Sequence, residues 1–157
     1  MSPRKFLVVA DDSSEFDAAL RFACRRAKSV GGRVVLLKVL EPAEFEHWSG
    51  VRDEIERQER EEAEAVLQKL AEKVAEASGA APEFDIRSAE SLHLGIRAAV
   101  AEDPEIKILV LAAAVGGRGP GPLVASLAKE GVSWGGRKLP VTVVPGDLTD
   151  DEIAALA

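Results

Sequence analysis

Two short stretches of the chain carry residue types that can do chemistry, and each follows an apolar run. Asp11-Asp12-Ser13-Ser14 follows Phe6-Leu7-Val8-Val9-Ala10, and Gly116-Gly117-Arg118-Gly119-Pro120-Gly121-Pro122 follows the run that begins at Ile106. A carboxylate at Asp11 can accept hydrogen bonds from ribose hydroxyls, as acidic residues do in other α/β nucleotide sites. It can equally support the adjoining turn alone. Gly116, Gly117, Gly119 and Gly121 allow positive φ and close backbone approach, which a phosphate cradle needs. Gly121-Pro122 fits a helix start with proline at the first helical position. The N–H groups of Leu123 and Val124 would then point at an anion, and Arg118 could add a planar fork of donors. Pro120 and Pro122 subtract two donors, and a Gly/Pro-rich turn also serves as a plain strand-to-helix connection.

The remaining reactive side chains are scattered. His47 lies beside Glu44 and Glu46, His93 lies near a helix start, and the single cysteine, Cys24, sits beside an apolar stripe. Solvated or locally bonded histidines and a buried, inert thiol are expected. No G-x-S-x-G, zinc-spacing, Walker A or GxGxxG pattern occurs, so no catalytic motif is supported and no metal site is expected.

The elements that must position these residues alternate along the chain. Phe6–Ala10, Val34–Leu40, Ile106–Leu111 and Val141–Val144 are short, apolar and β-branched, as suits strands covered on both faces of a parallel sheet. Phe84-Asp85-Ile86-Arg87 alternates apolar and polar and reads as a half-exposed edge strand. Phe16, Ala19, Leu20, Ala23 and Ala27 recur at helical spacing. Asp12 and Glu15 read as a capping box before that helix, and Gly31-Gly32 as its stop. A second helix is expected from Val51 to Ala77, with Ala63, Val66, Leu67, Leu70, Val74 and Ala77 on one side. Its exposed face would be laced by the pairs Asp53–Arg57 and Glu56–Arg60. Further helices are expected over Ser91–Glu102, from Pro122, and after the capping box Thr149-Asp150-Asp151-Glu152. The order β-α-β-α-β-α-β-α-β implies right-handed crossovers and a single doubly wound, five-stranded parallel α/β sheet. In such a sheet ligands bind at the carboxyl ends of strands, where the strand order reverses.

Composition sets outer bounds. The 157 residues fit one domain over 1–157, with 146–157 as a short helical tail. Lys+Arg 20 against Asp+Glu 27 leaves a net charge of −7, so no overall pull towards nucleic acid or an anionic membrane exists. No apolar run approaches the ~18–20 residues of a membrane span, and the early first strand leaves no room for a secretory signal. With one cysteine, a cytoplasmic setting is expected.

The ordered set of strands and loops resembles the universal stress protein (UspA-like) family over nearly the whole chain. Phe6–Ser13 looks like the opening strand and acidic turn. Val35–Pro42 is similar to the second strand and its following Glu-Pro, and Leu139–Pro145 to the closing strand. The resemblance implies an adenine nucleotide alpha hydrolase-like fold with strand order 3-2-1-4-5, and a homodimer paired through the 141–144 edge. It also implies ATP or AMP as ligand, with Mg²⁺ bound through phosphate oxygens, in those members that bind nucleotide. Asp11 matches the ribose contact, with Ser13 beside it, and Val39 the residue whose backbone meets adenine. ATP-binding members carry Gly-x2-Gly-x9-Gly-Ser/Thr after strand 4. Here Ala113, Gly116, Ser126 and Leu127 take its fixed positions, and only Gly116 is kept. The expected function is therefore an adenine-nucleotide-binding regulatory protein of the stress response, with at most slow ATP hydrolysis. The alternatives are a homodimeric interaction module that binds no nucleotide, and an enzyme of the wider adenine-nucleotide superfamily.

Overall fold

Every apolar run read as a strand forms one in the computed structural model, which describes residues 3–11, 13–42, 49–131 and 133–157. The elements are β1 (Lys5–Val9), α1 (Phe16–Val30), β2 (Arg33–Leu40), α2 (Ser49–Ser78), β3 (Glu83–Ser88) and α3 (Leu92–Glu102). They continue with β4 (Ile106–Ala113), α4 (Pro122–Glu130), β5 (Ser133–Trp134), β6 (Arg137–Lys138), β7 (Val141–Pro145) and α5 (Asp150–Leu156). Five strands make an all-parallel sheet in the order β3-β2-β1-β4-β7. This is the expected 3-2-1-4-5 order, with one hairpin, β5–β6, inserted before the last parallel strand.

The two-residue period of the strands divides the core into two layers. Phe6, Val8, Val34, Leu36 and Val110 face α1 and α2, whose Ala19, Leu20, Ala23, Leu67 and Val74 close that side. Leu7, Val9, Val35, Leu37, Leu109 and Leu111 face the opposite way, against Ile96, Ala99 and Val100 of α3. Fully buried Trp134 and half-buried Leu123 and Leu127 of α4 complete this second layer. Both faces are thus covered, which is why the central strands are continuously apolar.

Helix ends follow local chemistry, with one correction. Gly31 stops α1 in the left-handed region at φ 65°, and Gly32 N–H reaches Ala27 O at 2.7 Å. The Thr149–Glu152 capping box on α5 is present in both directions. Helix α1 starts at Phe16, later than a cap at Asp12 implies, with Glu15 as N-cap and no side-chain cap bond; Asp12, and with it the expected box, lies outside the described residues.

The exposed face of α2 is also rearranged. Arg57 pairs with Glu54 and Glu61, not Asp53, and Arg60 donates to Ile86 O at 3.0 Å, across to the edge strand β3. Val66 and Ala77, expected on the buried stripe, are exposed. At the amino ends of the strands Lys5 Nζ binds Asp103 at 2.8 Å and Glu83 at 2.9 Å. Hydrogen bonding to Asp103 raises the ammonium pKa against an opposing effect of burial, and Glu83 adds to the rise.

Candidate functional site

The strand order reverses between β1 and β4, so the helices after these two strands leave on opposite faces and their carboxyl ends border a crevice. Asp11, two residues beyond β1, stands at its rim. Its Oδ1 accepts the Ser13 N–H at 2.8 Å and also the Ser13 hydroxyl. The turn thus fixes one carboxylate oxygen of this exposed residue, while Oδ2 takes no hydrogen bond among the described residues. A carboxylate oriented in this way can accept from a ligand's hydroxyls.

Asp11 borders two hollows. One, of about 120 Å³, lies between β1 and β4 and is lined by Val9, Ala112, Pro120, Gly121 and Val124 as well as Glu15. The other, of about 330 Å³, lies between the ends of β1 and β2 and the middle of α2. Val39, Lys38, Glu41, Glu59, Glu62 and Leu67 line it. The acidic turn and the end of the glycine turn therefore do face one another across the smaller hollow, while Val39 borders the larger one from β2, and Asp11 stands between the two.

The other expected residues are placed differently. Gly121 takes φ 100° as N-cap of α4, and Pro122 occupies the first turn, as the Gly-Pro pair predicts. Gly116 and Gly119 have positive φ, 125° and 84°, but with Arg118 they lie on an exposed loop and line neither hollow. That loop closes on itself through Ala114 N–H to Pro120 O at 3.0 Å. The Ala113 carbonyl accepts Gly146 N–H at 2.9 Å, tying β4 to the end of β7. Ser126 turns its hydroxyl back onto Leu123 O at 2.7 Å, within its own helix.

Sequence reasoning missed Glu15, Glu59 and Glu62. The last two had a signal: they flank Ala63 at positions sharing one side of α2. Glu15 was assigned to capping; α1 starts one residue after it, and it borders the smaller hollow. His93 is half-buried at the start of α3, its ring 4.8 Å from that of Trp134, while His47 lies outside the described residues. Cys24 is buried in α1, which pushes its thiol up to about 11 and leaves it protonated and inert at neutral pH. No group of three or more metal-ligating side chains occurs among the described residues. No described helix is long and apolar enough to cross a membrane.

The universal stress protein family model matches residues 3–133. The chain belongs to the universal stress protein family. Solved members share the fold at low identity. The universal stress protein UspA from Lactobacillus plantarum is 20% identical, with a TM-score of 0.68 over 92% of this chain and 98% of its own. A universal stress protein in complex with cAMP is 15% identical, with a TM-score of 0.58 over 94% and 100%. One from Archaeoglobus fulgidus in complex with dAMP is 17% identical, with a TM-score of 0.55 over 92% and 98%. No curated protein matches the chain. Within this family fold the smaller hollow beside Asp11 sits at the switch point of the sheet, where ligands of doubly wound proteins bind, and the larger one adjoins it at Asp11.

Proposed function

We propose that this universal stress protein binds an adenine nucleotide, ATP or AMP, as a regulatory ligand in the stress response, and acts as a homodimer in the cytoplasm. The observation that carries this reading is Asp11, oriented by Ser13 and bordering both hollows at the reversal of strand order. In this reading Oδ2 of Asp11 accepts from the ribose hydroxyls. The base lies against the β2 backbone at Val39 in the larger hollow, and the small Ala112 keeps the adjoining smaller hollow open. The complexes of two family members with cAMP and dAMP support an adenine ligand. The closure of the 114–120 loop on itself favours the second reading, an interaction module without nucleotide.

Isothermal calorimetry separates the two. Heat of binding with adenosine, AMP or ATP is expected, together with a loss of affinity of at least tenfold in Asp11→Ala. The melting temperature should hold, because Asp11 is exposed. Silence with all three ligands at millimolar concentration would select the interaction module.

A further inference from the structure

The charges around Asp11 restrict what the site can hold. Among the described residues the two hollows are bordered by five carboxylates, Asp11, Glu15, Glu41, Glu59 and Glu62, against one ammonium, Lys38. Arg118, the cation expected to meet phosphate, stands outside on the exposed loop.

The backbone donors are equally few. Pro120 and Pro122 have no N–H, Ala114 N–H is taken by Pro120 O, and Ala125 N–H by Gly121 O at 2.9 Å. The Ser126 hydroxyl is taken by Leu123 O. What remains at the start of α4 is the N–H groups of Gly121, Leu123 and Val124, one helix start that seats a single phosphate. Each further phosphate would add negative charge in a half-enclosed space already bordered by Asp11 and Glu15, with three more carboxylates around the adjoining hollow, where repulsion is stronger than in bulk water.

Resting on the nucleotide reading above, we infer that the ligand is a nucleoside carrying at most one phosphate, and that Glu15 with the 114–122 turn excludes polyphosphates. Glu15 stands at the decisive place because it borders the small hollow together with Gly121 and Pro122, where a phosphate chain would leave the sugar. Its side chain makes no N-cap hydrogen bond to α1, and its Oε2 accepts the Ser14 hydroxyl at 3.3 Å.

Calorimetry of the full chain with adenosine, AMP and ATP tests this, with and without Mg²⁺ and at low and high salt. Adenosine and AMP are expected to bind within tenfold of one another, and ATP at least tenfold more weakly than AMP. Salt should narrow the gap by screening, and Glu15→Gln should narrow it at least threefold. An ATP affinity within tenfold of AMP overturns the phosphate limit while leaving the nucleotide reading intact. A gap unmoved by Glu15→Gln overturns the role of that carboxylate. Absence of binding by all three ligands removes the nucleotide reading itself, and this inference with it.

Discussion

Asp11 shows how one side chain acquires a direction. A carboxylate just past a strand end rotates freely until something holds it, and here the amide and hydroxyl of Ser13 hold one oxygen and leave the other outward. That pairing was legible in the chain as an acid two residues before a serine; Glu15 facing the same hollow was not, since its direction depends on where α1 begins. A second contact supports the site from beneath. Gly95 in α3 lies so close to β2 that an added Cβ would come within 2.4 Å of Val39 Cγ2 and 2.9 Å of Cγ1. Alanine is favoured over glycine in a helix by about 1 kcal/mol, but overpacking costs about 1–3 kcal/mol. Gly95→Ala should therefore lose up to about 2 kcal/mol in urea denaturation and weaken nucleoside binding by displacing Val39. A variant as stable as the parent would show that this contact yields freely.

Among the elements, the β5–β6 hairpin is the one the apolar pattern did not announce. Strands of two residues are too short to display alternation, and the signal available was the turn pair Gly135-Gly136, with φ 62° and 92°. The hairpin delivers Arg137 to a corner where α3 ends and β4 begins. Its Nη1 donates to Val100 O at 2.5 Å and Asp103 O at 3.1 Å, and its Nη2 to Ile106 O at 2.6 Å and Pro104 O at 3.4 Å. Carbonyls that a helix end leaves without partners are satisfied by one planar fork. Arg137→Ala should lower stability by about 1–2 kcal/mol, the cost of part-buried carbonyls left without a donor. Arg137→Lys should recover less than half of that loss, because an ammonium cannot span both pairs. Chemical denaturation of the two variants checks this, and full rescue by lysine would reduce the corner to simple charge. The longer strands and helices were legible because apolar period is a property of neighbouring residues. The partners of Arg57 and Arg60 on α2 were not, since several acids lie within reach and the choice depends on β3 beside them.

In the molecule as a whole, sheet order decides which surfaces remain open. β7 lies at one edge, hydrogen-bonded to β4 alone, and its apolar Val143 is 39% exposed. An apolar edge without lysine is an open template for pairing, and the homodimer proposed above uses it. The parent should elute as a dimer in light-scattering chromatography and Val143→Lys as a folded monomer; a monomeric parent would remove the dimer from the reading. By itself the amino-acid sequence determined the alternation of strands and helices, the parallel sheet and the two chemically equipped turns, because each depends on residues near one another in the chain. Only the tertiary structure decided that Glu15, Glu59 and Glu62 gather around Asp11 and that Arg118 stays outside. Crossover connections bring residues of distant sequence to one end of the sheet, and the charge of a site is the sum over whatever they bring.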